Sequence, residues 1–161
     1  MSIAILIRGP LGVGKTTIAR ALSARLAGVY ISIDAILEEN QLDQCPDGIP
    51  ARNFIRVNEI ALPIAQAALS IGKPVVLDGN FYYKSQIKHL LKRLPKPSYV
   101  FTLNASVEEC IARDRGRERV YGVDAATWVH FLVTRFTAGI PIDTSGKTAE
   151  QVVEEILRQL D

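Results

Sequence analysis

The octet Gly9-Pro10-Leu11-Gly12-Val13-Gly14-Lys15-Thr16 sets glycines, a lysine and a hydroxyl at the spacing GxxxxGK[ST]. Glycine tolerates positive φ and lets a backbone approach a ligand closely, so the amides of Gly9, Gly12, Val13 and Gly14 can turn inward as an anion nest. An apolar run precedes the octet and a segment of helical period follows it, so the nest opens onto the unsatisfied N–H groups of a new helix. That geometry suits a polyphosphate. Lys15 brings a cation to the β and γ oxygens, and Thr16 offers its hydroxyl to a magnesium ion that keeps most of its waters. Thr17 is expected to touch the α-phosphate. The expected ligands are therefore ATP and Mg2+.

Two carboxylates close other strand-like runs, and ligands of open α/β sheets gather outside the carboxyl ends of strands. Asp78 follows Val75, Val76 and Leu77 and reads as the acidic group that holds magnesium through water, with an ordinary turn aspartate before Gly79 as the competing reading. Asp34 follows Val29 to Ile33 and is the best-placed base for the proton of an acceptor hydroxyl. It also competes as N-cap of the helical segment that holds Ile36 and Leu37.

Arg113, Arg115, Arg117 and Arg119 fall within seven residues. Guanidinium groups match phosphate oxygens, so this cluster reads as a lid over about residues 113–124. Arg113 and Arg117, at i and i+4, are expected to share one helix face, and Gly116 and Gly122 to bracket a hinge. A solvated, salt-bridged face would have the same composition. Arg52 and Arg56 follow the polar stretch Glu38 to Ile49 and are candidates for holding an anionic or polyol acceptor, with solvent exposure as the alternative. His89 and His130 sit among apolar neighbours with no second ligand at metal spacing, so both read as packing residues. Trp128, Leu132 and Phe136 read as a core stripe.

The elements that must carry these groups alternate. Strand-like runs cover Ile3 to Arg8, Val29 to Ile33, Pro74 to Asp78 and Ser98 to Leu103, with a weaker fifth near Ile140 to Ile142. Between them, Ile18, Leu22 and Leu26 mark one buried helix face, and Ile60, Ile64, Ala68 and Ile71 a second, which Pro63 starts, kinks or breaks. Ser106 with Glu109 and Thr148 with Gln151 have capping-box spacing at two helix starts. Strand and helix in alternation imply a parallel sheet.

At 161 residues, 48% apolar and 22% charged, the chain suits a single domain over residues 1–161 with a buried core. A formal charge of +2 from 19 basic and 17 acidic groups excludes a strongly basic nucleic-acid surface as the default. Cys45 and Cys110 form no CxxC pair, and the run from Ile3 to Ile7 is too short for a membrane span. A reducing cytoplasm is the expected setting.

With these residues assembled, the chain resembles the small P-loop kinases, among them polynucleotide 5′-kinases, chloramphenicol phosphotransferase, shikimate kinase and gluconate kinase. The resemblance rests on GPLGVGKTT, ISID ending in Asp34, VVLDGNF with Asp78 and Asn80, CIARDRGRER, and IDTSGKTAEQVVEEI. It implies a three-layer α/β/α P-loop NTPase fold whose five-stranded parallel sheet has the order 2-3-1-4-5, with a small lid. It implies Asp34 as base and Asn80 at the acceptor, Arg113 stacked near adenine, and Arg117 on the phosphates. It also implies an adenine-lining loop from Thr144 through Ser145 and Lys147. Kinases of polynucleotide ends usually carry arginine three residues after the strand-2 aspartate, and Leu37 stands there. The expected activity is transfer of the γ-phosphoryl group of ATP to a hydroxyl of a small molecule. A polynucleotide 5′-hydroxyl and a regulatory nucleotide-binding protein without an acceptor are the alternatives.

Overall fold

The computed structural model describes residues 2–160. Five parallel strands, β1 (Ala4–Arg8), β2 (Val29–Ser32), β3 (Val75–Gly79), β4 (Ser98–Asn104) and β5 (Ile140–Asp143), form one sheet in the order β2-β3-β1-β4-β5. Parallel pairing aligns Ile7 with Asp78 and Arg8 with Gly79, and Ser32 with Asp78. The carboxyl ends of β1, β2 and β3 therefore lie side by side, where a ligand can meet all three.

Alternation along β1 divides the core. Ala4 and Leu6 point to the layer that holds α3 (Ala51–Ser70) and α4 (Lys84–Arg93). Ile3, Ile5 and Ile7 point to the layer of α1 (Lys15–Arg25) and α7 (Ala149–Arg158). Both faces of the central strands are buried, which is why they read as continuous apolar runs. Three further helices, α2 (Ile33–Glu39), α5 (Val107–Arg115) and α6 (Val123–Thr134), sit at or beyond the carboxyl edge. Thr148 and Gln151 make the full reciprocal capping box at α7, whereas at α5 only Ser106 accepts, from the Glu109 amide at 3.2 Å.

Three expectations change. Along α3 the buried face is Phe54, Val57, Ala61, Ala65 and Ala68, while Ile60, Ile64 and Ile71 are exposed. Branched residues on the solvent side made the wrong stripe the more hydrophobic one. The helix also runs unbroken through Pro63. The expected core stripe divides: Trp128 is 61% exposed, Leu132 is half-buried, and Phe136, past the end of α6, packs half-buried against the core, while Ala126 and Val133 are the buried residues of the helix. His89 Nδ1 lies 3.2 Å from the Asn58 amide nitrogen and His130 Nε2 lies 3.0 Å from the Ala105 carbonyl.

Candidate functional site

The loop between β1 and α1 is shaped by its glycines. Gly12 (φ 84°) and Gly14 (φ 99°) occupy left-handed conformations, and a Cβ on Gly12 would collide with the Cys110 carbonyl. Gly14 is the N-cap of α1 and offers no side-chain acceptor, and the first amide to bond back is that of Ile18, to the Gly14 carbonyl at 3.0 Å. Among the described residues the amides of Gly14, Lys15, Thr16 and Thr17 thus have no backbone acceptor. Four orphan donors at a helix N-terminus are what an anion satisfies.

Lys15 is buried and donates to the Pro10 carbonyl at 3.3 Å, folding over the loop it would otherwise leave. Thr16 Oγ1 donates to Asp78 Oδ2 at 3.0 Å, and the Tyr30 hydroxyl donates to the same oxygen at 2.8 Å. The other carboxylate oxygen, Asp78 Oδ1, is buried without a partner. A desolvated carboxylate oxygen beside a threonine hydroxyl and a triphosphate nest is the donor set magnesium requires, so the residues present fit the ion. Tyr30 is a supporting residue that sequence pattern did not flag, because its position in β2 marks it only as a strand residue.

Asp34 belongs to the first turn of α2, not to its cap. Ser32 fills that role, its Oγ accepting from the Ala35 amide at 3.1 Å, and this leaves the Asp34 carboxylate without a capping duty. Burial pushes the Asp34 carboxyl up to about 6, and the nearby Asp78 adds to the rise, while Lys15 and the Asn80 backbone amide pull the other way. A carboxylate poised near neutrality, beside a lysine, has the basicity of a general base.

Phe81 turns the chain after β3 with φ 51°, a left-handed conformation that a buried aromatic rarely adopts. The turn brings Asn80 and Tyr82 to the same side as Asp34: Asn80 Nδ2 donates to the Tyr82 hydroxyl at 2.9 Å. Burial and the Asp34 charge push the Tyr82 phenol far up, so it stays a proton donor at any working pH.

Two cavities divide these groups. One, about 260 Å³, is lined by Gly12, Gly14, Lys15, Thr16, Thr17, Arg113 and Arg117. It meets a smaller space of about 180 Å³ bounded by Val13, Ile18, Thr144, Lys147 and Val152. The other, about 410 Å³, is lined by Asp34, Glu38, Asp43, Asn80, Tyr82 and Tyr121 among others. Lys15, Thr16 and Arg117 face both large cavities.

The arginines separate on inspection. Helix α5 ends at Arg115, so Arg117 does not share a helix face with Arg113. Arg113 Nη1 donates to the Val13 carbonyl and to Thr144 Oγ1, both at 3.1 Å, and Nη2 donates to the Thr144 carbonyl at 3.2 Å. It therefore clamps the loop against the β5–α7 connection. Arg117 and Arg119 lie on the exposed segment 116–122, with Arg119 paired to Glu38 at 3.5 Å. Asp114, buried and absent from the sequence-based candidates, receives the Tyr121 amide at 3.1 Å and the Gly122 amide at 2.9 Å, stapling that segment shut. Its neighbours in a charge-rich string hid it. Arg52 and Arg56 are exposed on α3 and line neither cavity, a correction to their expected place at the acceptor. Lys147 borders the smaller space but is paired with Glu155 at 2.7 Å, and Ser145 turns its hydroxyl to Glu109 at 2.7 Å rather than inward. Thr144 occupies the position expected of Ser145.

A parallel sheet of this order, with a glycine nest on β1 and a carboxylate on the neighbouring β3, defines the P-loop class of phosphotransferases. A family model described as AAA domain matches residues 5–135, and the chain belongs to this family of P-loop kinases. A protein of Thermococcus kodakarensis provisionally named adenylate kinase is 30% identical over 159 residues, spanning 95% of this chain and 82% of its own. A protein of Pyrococcus furiosus with the same provisional name is 31% identical over 168 residues, spanning 98% and 83%. The crystal structure of a sugar kinase from Janibacter shares the fold at a TM-score of 0.82 and 18% identity, covering 100% of this chain and 95% of its own. Kinases of this class use ATP with Mg2+. No described helix is long and apolar enough to cross a membrane.

Proposed function

We propose that the protein transfers the γ-phosphoryl group of ATP to a hydroxyl group of a small molecule. The observation that carries this reading is the boundary between the two large cavities: Lys15, Thr16 and Arg117 face both, and Asp34 stands on the far side of it. The nucleotide lies with its phosphates in the nest and its base toward Thr144, and the acceptor lies against Asp34, Asn80 and Tyr82. Arg113 holds the loop in shape from behind. Mg2+, held by Thr16 and by Asp78 directly or through water, neutralises charge on the β and γ oxygens when bound.

Asp34 accepts the proton of the acceptor hydroxyl as its oxygen bonds to the γ-phosphorus. The bond from that phosphorus to the bridging oxygen of ADP breaks in the same displacement. Lys15 follows the charge on the moving phosphoryl oxygens, and Arg117 reaches them from the lid. Tyr82 donates to an acceptor oxygen, and the unpartnered Asn80 Oδ1 receives a hydroxyl proton from it.

The archaeal relatives carry a name that implies a phosphate-bearing acceptor. Against that reading stands the lining of the acceptor cleft, where Asp34, Glu38 and Asp43 balance Lys15, Arg117 and Arg119, and Glu38 is already paired with Arg119. A dianionic acceptor would find no surplus of positive charge in that cleft. The same carboxylates disfavour a nucleic-acid 5′ end, which needs a basic lane for its phosphates. The test is ATP turnover across pools of alcohols, nucleosides, nucleoside monophosphates and 5′-hydroxyl oligonucleotides. Turnover stimulated only by monophosphates, and retained in Asp34→Asn, would replace this reading with a phosphate acceptor.

A further inference from the structure

Beyond the acceptor cleft lies a second space that the transfer itself does not use. It is about 520 Å³ in volume, and its wall includes Tyr82, Tyr83, Trp128, Leu132, Ile49 and Pro50. Ile49 and Tyr82 also face the acceptor cleft, so the two spaces adjoin along those side chains. Helix α6 runs past both. Ala125 and Val129, one turn apart, face the inner cleft, while Trp128, Leu132 and Arg135, at i, i+4 and i+7, face the outer space. The Tyr83 hydroxyl donates to the Ile49 carbonyl at 2.8 Å, which fixes the far wall to the loop before α3.

The lining is mainly aromatic and aliphatic, with Asp47 and Arg135 as its charged members. Trp128 is the sole tryptophan of the chain and is 61% exposed. Its ring stacks on Phe131 with centroids 5.6 Å apart and 27° between planes, so it is held as a platform rather than packed away. A flat ring placed here would find three aromatic side chains and a proline, whereas a ringless polyol would leave most of that apolar wall uncovered.

From this adjacency, and resting on the hydroxyl-acceptor reading, we propose that the acceptor is an alcohol carrying a flat aromatic ring. Its hydroxylated part occupies the inner cleft at Asp34, and its ring lies in the outer space against Trp128. Nucleosides and aryl glycosides share this chemistry and are separated by the experiment.

Trp128 emission reads the outer space directly. The protein, saturated with ADP and Mg2+ to fill the nucleotide groove, is titrated with thymidine against 2-deoxyribose, and with phenyl β-glucoside against methyl β-glucoside. One ring-bearing probe is expected to change the emission saturably at a concentration about tenfold below its ringless counterpart. Whichever pair separates names the source. With ATP in place of ADP, the ratio of kcat/KM for the ring-bearing over the ringless acceptor is expected to fall about tenfold in Trp128→Ala and to recover in Trp128→Phe. The exposed position of Trp128 makes both variants compatible with folding, and thermal unfolding checks it. Equal responses within both pairs, or no saturable response to either ring-bearing probe, overturn the proposal. An emission that shifts with protein concentration and not with probe assigns this face to a second copy of the chain and likewise overturns it. Saturable binding without transfer to any alcohol would keep the outer site and sink the hydroxyl-acceptor reading. Transfer to ringless alcohols with silent emission would do the reverse.

Discussion

A carboxylate desolvated in the cleft should cost the fold stability, and Asp34 allows that cost to be read. Its carboxyl ionises in the ordinary range, 3.8, when the chain is unfolded, and at about 6 when folded. The difference corresponds to about 3 kcal/mol of unfavourable free energy once the group is charged in both states. The sign follows from proton counts. Between about pH 4 and pH 6 the folded chain holds the Asp34 proton more tightly than the unfolded chain, so this group's contribution to stability falls as pH rises through that window. Asn in its place keeps the shape and removes the charge. Asp34→Asn is therefore expected to match the wild type in melting temperature near pH 3.5 and to exceed it by roughly 5–10 °C above pH 7, for a chain of this size. The assay is calorimetric unfolding of both proteins from pH 3.5 to 8, without nucleotide or magnesium. Magnesium alone, added at pH 7.5, brings positive charge beside Asp78 and should narrow the gap. A gap that stays constant with pH, or a variant less stable than the wild type at pH 7.5, would refute the claim that a desolvated carboxylate occupies the cleft.

Lys15→Ala is expected to lower ATP turnover at least 100-fold, measured at saturating acceptor, because the cation on the γ oxygens is lost at the moment charge moves there. Asp114→Ala frees the Tyr121 and Gly122 amides, which should exchange hydrogen much faster than in the wild type while amides of β1 and β3 keep their protection, as read by mass spectrometry. Arg8→Met leaves buried carbonyls of Phe81, Val133 and Phe136 without a donor and should cost about 3 kcal/mol in urea unfolding. Acceptor KM should rise more than ATP KM in that variant, because the freed carbonyls belong to the acceptor side.

Much of this architecture is written locally in the sequence. The central strands were visible because parallel strands buried on both faces are continuous apolar runs, as in Val75 to Leu77, while β5, a partly exposed edge strand, gave only a weak signal. The nest was visible because its chemistry demands glycines, lysine and a hydroxyl in fixed order. What stayed hidden depends on distance across the fold. Whether Ser32 or Asp34 caps α2 turns on a two-residue shift of the helix start, and that shift decides whether the carboxylate is free. Arg52 and Arg56 looked right by composition, yet the α3 face they occupy turns away from the sheet. Tyr30, Asp114 and Arg8 do their work through partners 48, 7 to 8, and 73 to 128 residues away, and no local pattern announces such pairs. Asn80 and Tyr82 converge only because Phe81 takes a conformation its residue type disfavours.

Arg8 explains how that turn survives. It is fully buried with no carboxylate in contact, and burial pulls its guanidinium down to about 10, still charged at neutral pH. In place of an anion it has carbonyls: Val133 at 2.8 Å and Phe136 at 3.0 Å, where the dipole of α6 is negative, and Phe81 at 3.3 Å. The guanidinium carbon also lies 4.3 Å from the centre of the Phe136 ring. One side chain, a residue before the phosphate nest, thus ties the end of α6 to the strained turn that presents Asn80 and Tyr82. An α6 anchored at its carboxyl end cannot swing as a whole. Its other end meets the segment from Gly116 to Gly122, which carries Arg117 and Arg119 and is held by the Asp114 carboxylate and the exposed Glu38 pair. The turn that carries Asn80 and Tyr82 is thus tied to the sheet through Arg8, whereas the 116–122 segment is tied through the Asp114 carboxylate and an exposed ion pair.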